Sequence, residues 1–140
     1  MLKKTVTYED WDGNTRKEDL YFNLTMSELM EMELSTAGGM EKKLQKIIDA
    51  QDRETIVKTF KEIILKSYGE KSDDGKRFMK SEELSRAFSE TPAYDQIFVE
   101  LITDEQAASE FINGLVSNEM RKRMAEAEKA GLTPLPGGSN

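Results

Sequence analysis

Three places in the chain gather side chains of the kind that bind metal ions, move protons or hold phosphate. Asp10, Asp12 and Asn14 reproduce the first three ligand positions of a calcium loop. The pattern then fails, because Thr15 stands where that loop needs glycine and Tyr21 where it needs a bidentate glutamate. A plain turn is the better reading. Asp73 and Asp74 are adjacent carboxylates, but neighbours in sequence need not point together, no further ligand pattern accompanies them, and Gly75 makes them part of a turn. Arg121-Lys122-Arg123 could touch nucleic acid, yet Glu126 and Glu128 follow at once, which describes a solvated helix. The chain has no histidine and no cysteine. That removes the commonest general base, the thiolate nucleophile, the main zinc ligands and any disulfide. No motif sets a serine, lysine or carboxylate beside an activating base. These residues predict a protein that is not an enzyme and needs no metal or other cofactor.

The composition behind them is that of one ordinary domain: 140 residues, 37% apolar and 34% charged. No stretch approaches the roughly 20 apolar residues that span a bilayer, and the N-terminus alternates like a strand, so neither export nor membrane anchoring is expected. The net charge of −7 opposes binding to phosphate backbones. It is concentrated: between Ser81 and Asn113 eight acids (Glu82, Glu83, Glu90, Asp95, Glu100, Asp104, Glu105, Glu110) face Arg86 alone.

The elements that must carry these residues are mostly helical. Val6 and Tyr8, then Leu20, Phe22 and Leu24, alternate with polar neighbours around Asp12-Gly13, which predicts an N-terminal β-hairpin over 1–24. A lone hairpin is marginal, so it must pack on helices or pair with another chain through its edge. Thr25 and Glu28 form a capping box opening a short helix, Met26 to Ser35. Its Met26, Met30 and Met32 could make an adaptable binding face, although core filling is the commoner fate of such methionines. A second helix is expected over Met40 to Gln51, with Leu44, Ile47 and Ile48 on one face. Asp52 caps a third, from about Arg53 to Tyr68, whose Ile56, Val57, Phe60, Ile63, Ile64 and Tyr68 form the broadest apolar stripe, with Phe60 in the core. Gly69 is expected to end it in the left-handed conformation. After a loop over 70–80 that Phe78 anchors, Ser81, Thr91-Pro92 and the Thr103/Gln106 box predict three short helices, stopped by Gly114. A polar helix over 117–130 and a flexible tail over 131–140 follow. The fold class is thus mainly α, an N-terminal β-hairpin followed by a compact bundle of short helices, expected as a single domain over 1–130 with its helical core at 25–116.

Within this frame, the run Tyr68-Gly69-Glu70-Lys71-Ser72-Asp73-Asp74-Gly75-Lys76-Arg77-Phe78, then Phe88 to Asp95 and Glu110 to Gly114, resembles the tail assembly chaperones of long-tailed (siphovirus-type) bacteriophages. The resemblance covers 68–114, about a third of the chain, and holds six of its eleven aromatic residues. It implies a small, non-catalytic, mostly helical protein of the host cytoplasm. Such a protein engages the tape measure protein, and often the tail tube protein, during tail assembly and is absent from the mature virion. In many such phages a programmed frameshift near the gene's end yields a longer product, and the tail after Gly131 would suit that junction.

The expected partner surface lies between Phe78 and Phe111, where aromatic anchors are rimmed by acids. Phe88, Tyr94 and Phe98 are the candidate anchors, with Glu90 and Asp95 as rim charges. The hairpin edge and the Met26 to Met32 face are the alternatives, and self-association is compatible with the edge. A different class of function is also open. The acids of Ser81 to Asn113 could imitate DNA phosphates and inhibit a host nucleic-acid enzyme, although an amphipathic helix face accounts equally well for the apolar positions between them.

Overall fold

The computed structural model describes residues 1–36, 38–39, 42–43 and 52–131. An N-terminal hairpin pairs β1 (Leu2–Glu9) with β2 (Thr15–Phe22) in antiparallel register from Leu2↔Phe22 to Glu9↔Thr15. Six helices follow among the described residues: α1 (Met26–Ser35), α2 (Arg53–Ser67), α3 (Glu82–Ser89), α4 (Pro92–Thr103), α5 (Glu105–Leu115) and α6 (Asn118–Lys129). The chain is therefore mainly α with an N-terminal hairpin, as its patterns predict. Two short strands, β3 (Tyr68–Lys71) and β4 (Phe78–Met79), extend the hairpin to a four-stranded sheet of order β1-β2-β3-β4. The chain divides into two compact units, Met1–Asn23 with Thr59–Leu115, and Leu24–Lys58 with Val116–Asn140.

The hairpin turn is built around Asp10. Its N–H donates to the Asn14 carbonyl at 2.8 Å and its carbonyl accepts from Gly13 N–H at 3.0 Å, with Gly13 at φ +84. Its carboxylate accepts from the N–H groups of Asp12 and Asn14, both at 2.9 Å, and from Arg16 Nε at 2.6 Å. Asp10 is thus a turn residue whose oxygens are all engaged locally. The Arg16 hydrogen bond first, and then the backbone donors, hold its carboxyl below the usual range. The stability from this lowered pKa is present above the ordinary aspartate value of about 3.9 and is lost as pH falls through the folded one. Asp10→Asn is therefore expected to lower the melting temperature at neutral pH, with the gap from wild type closing below about pH 4. Melts across an acid series check this, and a constant gap would exclude Asp10 as the source.

The core of the first unit lies on the even face of the hairpin. Val6, Leu20 and Phe22 of the hairpin are buried, as are Ile63, Ile64, Phe88, Ala93, Ile97, Leu101, Phe111 and Leu115 of the helices, and the Phe22 ring meets those of Phe88 and Phe111. In α2 the buried side is Thr59, Ile63, Ile64 and Ser67, while Ile56, Val57 and Phe60 are only half-buried, so the expectation that Phe60 sits in the core is corrected. The covered stripe is narrower than the apolar one, and its centre lies one residue off, toward Thr59.

The end of α2 needs a second correction. The helix stops at Ser67 and Tyr68 is already strand, paired with Phe22. Gly69 does not take a positive φ; it lies in β3, opposite Tyr21. Glycine is required there for space, since a Cβ would stand 2.7 Å from the Met79 carbonyl oxygen and 2.7 Å from the Phe78 ring. The acidic turn joins β3 to β4: Asp74 accepts from Ser72 Oγ at 2.7 Å and Lys76 N–H at 3.0 Å, and Gly75 turns at φ +72. The paired carboxylates there serve a turn, and the segment expected as loop is a hairpin whose exit residue Phe78 is half-buried.

Caps fix the remaining helices. Ser81 accepts from Leu84 N–H at 3.0 Å and Thr91 from Tyr94 N–H at 3.1 Å, with Pro92 opening α4. The Thr103/Gln106 box does not form. Asp104 is the cap, accepting from Gln106 N–H at 3.0 Å and Ala107 N–H at 3.2 Å, because Thr103 still belongs to α4 and turns its hydroxyl back to the Val99 carbonyl. Gly114 does not stop α5, which runs on to Leu115; the missing side chain makes room for Leu2 instead.

In the second unit, Thr25 and Glu28 close the expected capping box at α1, whose Leu29 is buried and whose Met26, Met30 and Met32 are half-buried. On α6 only Met120, Met124 and Ala127 are half-covered among the residues whose side chains are described. Apart from Lys42 and Lys43, the helix expected over Met40 to Gln51 lies outside the described residues, as does the tail after Gly131. No described helix is long and apolar enough to cross a membrane.

Candidate functional site

The five residues singled out from sequence fall at the junction of α3 and α4, where a line of aromatic rings runs from the core to the surface. Phe22 is its inner end, meeting Tyr68 at 5.9 Å, Phe88 at 5.9 Å and Phe111 at 5.3 Å, each edge-on. Tyr68 stacks on Phe88 at 4.0 Å with the rings nearly parallel. Phe88 meets Tyr94 edge-on at 5.5 Å, and Tyr94 stacks with Phe98 at 5.8 Å. The line is continuous, so one end is core and the other is surface.

Phe88 is on the core side. It is only 4% exposed, so its place in the expected partner surface is corrected: its ring supports the site from beneath. The reason is helical phase, since α3 is a short helix that can present one side inward, and Phe88 is its buried residue. Tyr94 and Phe98 are half-buried, one turn apart on α4, while the true inward row of that helix is Ala93, Ile97 and Leu101. Burial first, and then the charge of Asp95, push the Tyr94 phenol above its ordinary value. It therefore stays neutral across the working pH range, an aromatic face with a hydroxyl at its edge. Glu90 and Asp95 are both exposed.

Two exposed apolar residues fall outside the five expected from sequence. Trp11, in the hairpin turn, is 78% exposed, and its indole N–H donates to the Glu90 carbonyl at 3.2 Å. That bond satisfies the ring's one polar atom and holds a large apolar surface beside the start of α4. Val99, which follows Phe98 on α4 and so lies on a different side of that helix, is 49% exposed. Trp11 and Val99 are, with Met1, the large apolar side chains most open to water among the described residues. A lone tryptophan in a polar turn carries no periodicity, so nothing in the sequence ties it to Glu90, 79 positions away.

The electrostatic frame is acidic. Glu90 and Asp95 border the aromatic pair, and Glu100 farther along α4 forms an ion pair with Lys4 of β1, which ties the helix to the sheet. Among the described residues no group of acids is arranged to hold a metal ion. What the arrangement offers is contact area: half-exposed aromatic rings on one helix, a fixed indole beside them, and acids at the margin. A family model described as phage tail assembly chaperone matches residues 1–134. That match takes in the hairpin and the helices before Gly69 as well as 68–114. No curated protein and no solved structure matches the chain.

Proposed function

The chain belongs to the phage tail assembly chaperone family, and from that premise we propose that it binds the tape measure protein through the surface of α4. The chaperone covers apolar positions along the tape measure's long helices until the tail tube protein takes its place. It works by binding alone, in the host cytoplasm, and is left out of the mature virion. Tyr94 and Phe98, half-exposed on α4 near the exposed Trp11 that Glu90 holds, are the observation that carries this reading. A surface of this kind suits the apolar face of an amphipathic helix. Aromatic anchors supply most of such an interface's energy, while the acids beside them keep the unoccupied chaperone soluble and set the rate of encounter.

Tyr94→Ala, Phe98→Ala and Trp11→Ala are each expected to weaken capture of co-expressed tape measure protein about 5- to 30-fold, the effect of losing one anchor of about 1–2 kcal/mol. The melting temperature should change little for Trp11→Ala, whose side chain is mostly in water. Unchanged capture by all three variants would move the partner site elsewhere.

A further inference from the structure

We propose that the outer edge of β1 pairs, antiparallel and about a two-fold axis at Val6, with β1 of a second copy of this chain. The inference does not depend on the tape measure reading, because it rests on the sheet alone. β1 is an edge strand, with eight residues matched to β2 on one side and no strand on the other among the described residues. The opposite edge, β4, is two residues long and offers almost no ladder. A long open edge is a template for a further strand unless something blunts it.

The backbone phase restricts how a second β1 can sit. The Asp10–Asn14 hydrogen bond closes the hairpin at 2.8 Å, and in an antiparallel ladder bonded and non-bonded pairs alternate from there. Tyr8, Val6, Lys4 and Leu2 therefore turn their N–H and C=O groups toward β2. Lys3, Thr5, Thr7 and Glu9 turn theirs outward. Two copies can join only where outward residues meet outward residues, so a two-fold axis must pass through a residue position and not between two.

Side-chain charge then selects among the central positions. Centred on Val6, the pairing sets Thr5 against Thr7 and Lys3 against Glu9, twice over by symmetry, with about eight backbone hydrogen bonds. Centred on Thr5 it sets Lys3 against Thr7, and centred on Thr7 it sets Thr5 against Glu9; neither forms a charge pair within β1, and Lys4 and Asp10, which the second brings opposite, already hold Glu100 and Arg16. A parallel pairing in register brings Lys3 to Lys3. Opposite charges across a strand pair stabilise and like charges destabilise. Lysine at an edge is ordinarily a guard against pairing. Here Lys4 is already neutralised by Glu100, and Lys3 finds its counter-charge in Glu9 of the second copy.

The test is sedimentation equilibrium of the full chain over a wide concentration range, with circular dichroism and melting curves to confirm folding. The expected result for wild type is a reversible monomer–dimer equilibrium. Lys3→Glu or Glu9→Lys alone should weaken dimerisation at least about tenfold, and the double swap should restore it. Thr5→Pro should abolish it while keeping the hairpin, since the lost N–H is an outward one. A wild type that stays monomeric, or a dimer indifferent to both single reversals and not rescued by the swap, overturns the proposal. If Thr5→Pro fails to fold, the charge-swap series decides alone.

Discussion

Phe22→Ala is expected to cost about 3–5 kcal/mol of stability, the range for truncating a buried phenylalanine. For a chain of this size that is a fall in melting temperature of roughly 10–20 °C. Phe22 has 0% exposure and lies at the meeting point of the rings of Tyr68, Phe88 and Phe111. Those three come from β3, α3 and α5, so alanine leaves a cavity bordered by three separate elements. None can close it without shifting the sheet or a capped helix. Urea titration should show a lower midpoint with an unchanged slope, marking lost stability of the same native state. The control is Phe60→Ala. Its ring is half-buried, so its loss should be clearly smaller. Equal costs at the two positions would mean that the aromatic cluster does not hold the core.

That contrast shows what the sequence made legible. Local signals hold where a side chain acts within a few residues of itself: the Thr25/Glu28 box, the caps at Asp52, Ser81 and Thr91, and the Gly13 turn all form. Failures arise where distant partners decide. Phe60 belongs to a genuine apolar stripe, but which side of that stripe is covered depends on the sheet. Thr103 and Asp104 are both good caps, and one extra residue of α4 settles the choice. The candidate site was half legible for the same reason. Its α4 residues follow a helical period, and their acidic neighbours are adjacent in sequence. The burial of Phe88 comes from Phe22 and Tyr68, and the position of Trp11 comes from Glu90, contacts that no spacing rule encodes.

Gly69 and Gly114 put that distinction to a measurable test, because local propensity favours substitution at both while tertiary contacts differ. Gly69 lies in a strand without a positive φ, so valine should be favoured there on propensity. The opposite is expected. A Cβ at Gly69 would lie 2.7 Å from the Met79 carbonyl oxygen, a backbone atom of the paired strand, and 2.7 Å from the Phe78 ring. Relief requires β4 to move away and break the β3–β4 pairing, and overpacking of this kind costs about 1–3 kcal/mol or more. At Gly114 the nearest atom to an added Cβ is Leu2 Cδ1 at 2.8 Å, the far end of a flexible side chain. Alanine there gains up to about 1 kcal/mol in helix propensity and displaces only that side chain. Gly69→Val should therefore melt well below wild type, while Gly114→Ala melts within a few degrees of it. A stabilised Gly69→Val would show that β4 does not close on β3 in solution and would return 70–80 to the loop that its turn residues suggest.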